Sequence, residues 1–383
     1  MALAEHSTLA AHLRLLPDPR GKQGKQFQWW HLLLIVGWGL LCGQKVVRGI
    51  AEWAQAHATL IVETLGEELP RVPSESTLRR VLRHIDTALL EVQVAQYGQE
   101  LAALAPCASF EETGGWEGQA VDGKEVRGAN THGAQLHLVS IVQQDSGLIM
   151  GQQPVPAKTN EIKAVPALLA GRDLRGVVVT SDAMLTQRTL ARQIVAQGGH
   201  YLMLVKRNQP DLYEDLRLLF AEAPWGPQDD RVSYTTCGHE HGRYETRTLT
   251  TSEQLREYLT WPGVQQVAQR TCTRQRSLGA PAHSETTYAI TSLSRRQATP
   301  GQLEHHWRGH WCIENRNHYV RDETLGEDRC QVFAGQAAVA LAALRSAILC
   351  LIRSQNWRCV PQALRHYAAH PDLAWSALGI PFS

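Results

Sequence analysis

The sequence predicts a mixed α/β protein: an all-helical N-terminal region, then a mixed-sheet core that carries a β-rich insertion and closes on helices. Three observations carry that reading. Apolar residues recur at helical spacing as far as about residue 110. From about residue 117 short β-branched runs take over, two of them flanking a single helical pattern. Between about 208 and 300 the chain turns to alternating Thr- and Val-rich segments of strand character. At 383 residues and 43% hydrophobic content, it can bury a large core in two or three domains.

Taken in order, an apolar run from Trp29 leads into Val47, Ile50, Ala51 and Ala54 at helical spacing. Ser74 or Ser76 can cap the next helix, whose apolar face is Leu78, Val81, Leu82 and Ile85. Arg79, Arg80 and Arg83 project elsewhere on that helix. They fit a helix-turn-helix reader whose N-terminal half enters a groove, and equally a charged amphipathic helix in a bundle. Segments 118–123, 135–142 and 147–155 read as strands of an antiparallel meander, the last two joined through Asp145-Ser146-Gly147. A helical segment spans Ile162 to Leu169, with Pro166 opening or kinking it. Segments 177–182, 186–197 and 200–206 then read as strand, helix and strand, a unit that implies parallel pairing. Three antiparallel strands followed by this alternation is the order of a ribonuclease-H-like core. Segments 231–249, 264–274 and 285–293 supply the strands of the insertion. From Pro300 a helix is expected with Leu303, Trp307, Trp311 and Ile313 facing inward and Glu314 at the margin of that face. Further helices close the chain at about 335–370.

The net charge of +1 makes nothing globally basic, so a nucleic-acid site must be a local patch. One candidate is the stretch from Val339 to Pro371, which holds Arg345, Arg353, Arg358 and Arg365 and no acid; a solvated helix face explains it as well. Eight cysteines with no CxxC pair and no secretory signal read as a reducing cytoplasm. The apolar run at 29–42 is interrupted by His31 and falls short of a span, and the long run after Gly335 carries Arg345 at its middle. Both are expected to be buried helices, with no membrane involved.

Three acids carry the chemistry. Asp122 follows a short apolar run, Asp182 ends the β-branched run 177–182, and Glu314 lies on the late helix. Two carboxylates at strand ends and a third on a distant helix can meet in one site on a mixed sheet. Crowded carboxylates repel and raise one another's pKa values unless a cation neutralises them. Oxygen-only ligands suit Mg2+ or Mn2+, and a pair of ions roughly 3.5–4 Å apart clamps the attacking and leaving oxygens of phosphoryl transfer. A zinc site assembled from His305, His306, His310, Cys312 and Cys330 matches no finger spacing.

Several words in the chain point to a family. They are DPRGK from Asp18, IAEWA from Ile50, PSESTLRRVL from Pro73, VDGKEVRG from Val121 and KTNEI from Lys158. TSDAMLTQ from Thr180, VKRNQ from Val205, HGRYETR from His241 and HWCIENRNHYVRDETLGED from His310 complete the series. In their order and completeness the chain resembles the DDE transposases of bacterial insertion sequences, and among them the H-repeat-associated branch.

The resemblance implies a helical N-terminal associated domain over 1–110 that binds DNA, and a catalytic domain over 115–383. Asp122, Asp182 and Glu314 would be the catalytic, metal-binding triad for two Mg2+ or Mn2+ ions. Lys124, Arg127, Lys158, Asn160, Lys206, Asn208, Gln209, Arg243 and Asn315 would touch DNA. The wider superfamily surrounds its Glu with Tyr-x2-Arg-x3-Glu-x6-Lys, where this chain has Trp307, His310 and Arg321. Trp307 would then stack on a base, and His310 and Arg321 would hold a phosphate. Ser181 stands where the branch has an aliphatic residue, and Asn317 where it has Leu.

The implied activity is transposition. The protein would bind terminal inverted repeats as a homodimer, cleave double-stranded DNA and join the 3′ ends to target DNA, with no nucleotide cofactor. A transposase-derived DNA-binding protein that no longer cuts, and a two-metal nuclease without strand transfer, remain as alternatives.

Overall fold

The computed structural model describes residues 8–379, apart from 22–24, 67, 68, 70, 107, 132, 133, 157–159, 222–229, 241, 278–280, 333 and 334. In chain order the first elements are α1 (Leu9–Arg14), α2 (Trp29–Leu41), α3 (Val47–Ala56), α4 (Ala58–Leu65), α5 (Glu75–His84), α6 (Thr87–Leu104) and α7 (Phe110–Thr113). Next come β1 (Glu117–Thr131), β2 (Ala134–Gln143), β3 (Ile149–Pro154), α8 (Glu161–Leu169), β4 (Val177–Ser181), α9 (Arg188–Ala196) and β5 (His200–Val205). Then follow α10 (Pro210–Ala221), β6 (Val232–Glu240), β7 (Arg243–Ser252), β8 (Gln266–Gln275), β9 (His283–Thr291) and α11 (Pro300–Gly309). The chain closes on α12 (Ala337–Arg353), α13 (Val360–Ala369) and α14 (Pro371–Ala377).

The chain forms two compact units. One comprises Met1–Pro106, Gly123–Asn160 and Ile313–Ser383; the other comprises Cys107–Asp122 and Glu161–Cys312.

In the first unit, α5 starts where the Ser74 side chain accepts from Thr77 N, and it buries Leu78, Val81 and Leu82, as the spacing predicts. Asp86 caps α6 by accepting from Ala88 N and Leu89 N. The two long apolar runs become α2 and α12, both almost wholly buried. Among the described residues no helix is long and apolar enough to cross a membrane. Gly98 lets α6 lie against β3, since a Cβ there would meet Ile149 O at 2.1 Å. β2 and β3 form an antiparallel hairpin, Ile141 opposite Gly151, turning at Gly147 with φ +74°.

The C-terminal arginines do not form one basic face. Arg345 is buried, 3.5 Å from Glu327 and donating to Lys45 O at 2.9 Å, and Arg353 caps Gly147 O. Arg358 and Arg365 remain exposed.

In the second unit the strand order is β1-β4-β5-β9-β8-β7-β6. β1, β4 and β5 are parallel, with Glu117 opposite Val177 and Val179 opposite Tyr201. Helix α9 makes the β4-to-β5 crossover that the sequence pattern calls for. β9 pairs antiparallel with β5, Met203 opposite Ile290. The insertion therefore extends this sheet edge instead of packing as a body of its own. Its first run, expected as one strand, is a hairpin of β6 and β7 that includes Gly242 at φ +71°. Hydroxyl pairs line that hairpin, including Ser233 with Thr250 at 2.8 Å and Thr235 with Thr248 at 3.0 Å. α11 packs on the sheet through Leu303 and Trp307, which join Val178, Leu202, Leu249, Ala268 and Ala289 in one core cluster.

Candidate active site

The β1–β4 ladder ends at Val121 opposite Ser181, so Asp122 and Asp182 each follow the last paired residue of adjacent parallel strands. Parallel strands lie about 4.8 Å apart, which sets the two aspartate backbones side by side at the sheet's carboxyl edge. The sequence placed both at strand ends. Asp182 is at one, but Asp122 lies inside β1, which leaves β4 at that point and runs on to Thr131.

Asp182 opens a tightly held loop. Its Oδ1 accepts from Leu185 N at 3.1 Å, and Thr186 Oγ1 donates to Asp182 O at 3.1 Å and to Leu204 O at 2.5 Å. Asn208 donates to Ala183 O at 2.7 Å and Gln209 to Thr186 O at 3.0 Å. These two amides, expected on DNA, also hold the loop behind Asp182. Lys206 is exposed. His310 follows α11, and its Nδ1 lies 3.0 Å from Thr180 Oγ1, two residues before Asp182.

In the other unit Glu314 sits on a π-helical turn, Ile313–His318, and a second such turn spans Val320–Thr324. Single π-turns of this kind concentrate at functional sites. Arg316 ties the first turn to the β2–β3 hairpin, donating to Asp145 O and Ser146 O, both at 2.6 Å. The Glu314 side chain is 51% exposed, and its Oε2 lies 3.1 Å from Nδ1 of His318, whose own side chain is 6% exposed. That hydrogen bond holds the Glu314 carboxyl below its ordinary pKa; burial works against it and the Lys124 charge assists. Burial lowers the pKa of His318 against the pull of Glu314, so the ring favours its neutral form.

Lys124 and Arg321 correct the sequence reading. Lys124 is buried, ion-paired with Asp322 and 3.7 Å from Asp328, so it is not free to grip a phosphate. Arg321 is 0% exposed, 2.8 Å from Glu327 and bonded to Gln152, which closes it off from DNA as well. Burial pushes the Glu327 carboxyl up, but Arg321 and Arg345 together bring it below its ordinary value.

Trp307 is a core residue, 5% exposed with the Arg270 guanidinium 5.7 Å from its ring centroid, and cannot stack on a base. Trp311, expected inside, is 60% exposed, because α11 ends at Gly309 and the chain re-enters helix with a π winding. A 3.6-residue period cannot be carried across that break.

The other expected contacts are distributed as follows. Arg127 is exposed, its backbone N–H donating to Asp328 Oδ1 at 3.1 Å. Asn160, Arg243 and Asn315 are exposed. Arg80 and Arg83 are exposed on α5, while Arg79 pairs with Glu75 at 2.6 Å. Lys158 lies outside the described residues. Sequence reasoning missed His318, Arg316, Asp322 and Asp328. Only His318 left a signal, a histidine four residues past the acid.

Residues 114–351 match the family model described as Transposase DDE domain, and residues 10–97 match the model described as DDE_Tnp_1-associated. The chain belongs to the DDE transposase family. It is similar to "Putative transposase YncI" of Escherichia coli O157:H7, 29% identical over 90% of this chain and 87% of that protein. "H repeat-associated putative transposase YhhI" of Escherichia coli strain K12 is 25% identical over 89% of each chain. A piggyBac transposase synaptic complex with hairpin DNA aligns with 97% of this chain and 78% of that one at 10% identity and TM-score 0.41, a likeness too distant to carry an argument.

Proposed function

We propose that the protein is the transposase of an insertion sequence, which binds terminal inverted repeats, cleaves the DNA at their ends and joins the freed 3′ ends to target DNA. The observation that carries this is the pair Asp122 and Asp182, adjacent at the end of the β1–β4 ladder in a chain of the DDE family. Two features support Glu314 as the third acid. His310, four residues before it, is bonded to Thr180 beside Asp182. Lys124, two residues after Asp122 on β1, pairs with Asp322 in the second turn beyond Glu314. Parallel β1, β4 and β5, with α9 crossing between β4 and β5, support a ribonuclease-H-like core.

The donor chemistry fits a hard divalent cation: three carboxylates, with Glu314 half exposed and ionised. Asp122, Asp182 and Glu314 would hold Mg2+ or Mn2+, which when bound activates water for attack on phosphate and stabilises the leaving 3′ oxygen. The chain's own part is placement. The Asp182 loop is fixed by Asn208 and Gln209, and the Glu314 turn by Arg316. Arg127, Lys206, Asn315 and Trp311 offer exposed groups to the DNA near the acids, and two copies of the chain would pair on it. The helical region 1–110 would read the repeat, with Arg80 and Arg83 on α5 as the base-contacting residues.

Asp122→Asn, Asp182→Asn and Glu314→Gln should each abolish Mg2+-dependent cleavage of an element-end duplex while leaving its binding largely intact. Wild-type cleavage by any one of them rejects that residue. Cleavage without joining would mark a nuclease, and binding without cleavage by the unaltered chain a DNA-binding derivative.

A further inference from the structure

Glu314 and His318 are four residues apart and differ sharply in setting. The carboxylate reaches solvent, whereas the imidazole is packed in the same unit on a turn that Arg316 fastens to the β2–β3 hairpin. An ionised carboxylate only accepts hydrogen bonds, so the 3.1 Å contact assigns the proton to Nδ1 of His318. A glutamate side chain has three rotatable torsions, and an exposed one samples many rotamers unless something holds it. Here a rigid donor grips one oxygen.

We infer that His318 is a positioning residue: its Nδ1–H holds Oε2 of Glu314 and so presents the other oxygen, Oε1, to the divalent cation. The inference rests on the reading of Glu314 as a metal-binding acid. Groups that hydrogen-bond a ligating side chain fix its orientation, and losing one weakens metal affinity by roughly 10–100-fold. On this π-wound turn His318 is buried while Glu314 stays exposed.

The test uses the full chain and Mn2+ as probe, with free Mn2+ followed by electron paramagnetic resonance and the fold checked by thermal unfolding. His318→Ala should weaken Mn2+ binding about 10–100-fold. It should raise the Mn2+ concentration for half-maximal cleavage by the same factor, with cleavage largely restored at saturation. His318→Asn, whose amide N–H sits where Nδ1–H was, should stay within a few-fold of wild type. If the alanine variant does not fold, His318→Gln takes its place, because its amide nitrogen corresponds to Nε2 and should not rescue. Wild-type Mn2+ binding by the alanine or glutamine variant overturns the inference, as does an asparagine variant as defective as they are. Glu314→Gln separates the two levels. If it binds Mn2+ and cleaves like wild type, the reading of the site itself fails; if it is dead while His318→Ala is normal, only the positioning role fails.

Discussion

Helix α11 and the π-helical turn Ile313–His318 are neighbours in sequence, yet they differ in winding and in how the polar groups they bury are held. α11 opens on a capping box of Thr299 and Gln302 and turns Leu303 and Trp307 into an apolar core. Its buried Glu304 is paired with Arg270 at 2.8 Å. The turn buries Ile313 together with Asn317 and His318, and leaves Glu314 and Asn315 in solvent. One segment behaves as scaffold, with hydrophobic spacing and charges compensated. The other departs from regular winding and buries polar groups, as expected where function overrides local rules.

Substitutions on the two segments should therefore fail in different ways. Trp307→Ala should cost about 3–5 kcal/mol of stability, the range for truncating a buried aromatic. Trp311→Ala should leave the unfolding midpoint nearly unchanged and weaken DNA binding by about 1–3 kcal/mol if a base stacks on the ring. Denaturant unfolding and duplex binding on the same two variants check both. Equal destabilisation would erase the distinction between the segments.

The same contrast holds for two cations. Arg321→Ala takes from the buried Glu327 its hydrogen-bonded partner, leaving only Arg345 at 3.5 Å, and should destabilise by up to about 3–5 kcal/mol. Arg127→Ala should leave stability alone and reduce the slope of log affinity against log salt by about 0.9, one phosphate's share. A salt slope that moves with Arg321 in a still-folded variant would put that residue on the DNA after all.

Asn317 gives the smallest and most local test. It is 0% exposed, and among the described residues neither of its amide atoms has a hydrogen-bond partner. Asn317→Leu should stabilise the chain by about 1–3 kcal/mol, since an unsatisfied buried amide costs that much. Destabilisation instead would mean that the amide is bonded in solution.

Most of the fold was legible because its elements obey simple periods. Leu78, Val81 and Leu82 marked the buried face of α5, and segments 177–182, 186–197 and 200–206 gave the strand, helix and strand of β4, α9 and β5. The acids Asp122, Asp182 and Glu314 stood out through their surrounding words. What sequence could not show is which cations are exposed. Lys124 and Arg321 carry the same charge as Lys206 and Arg127, and only tertiary pairing with Asp322 and Glu327 takes them out of solvent. The Trp307 and Trp311 exchange was hidden for another reason: a π turn breaks the helical period, and no residue type announces one.

Iron-directed cleavage of the protein backbone reports whether the three acids share one metal site. Fe2+ replacing Mg2+, with ascorbate and peroxide, cuts the chain beside the residues that hold it. Cuts are expected next to Asp122, Asp182 and Glu314 together, all suppressed by excess Mg2+ and all lost in Asp182→Asn. Cuts missing from any one of the three positions, or persisting unchanged in that variant, would contradict a single metal site built from these acids.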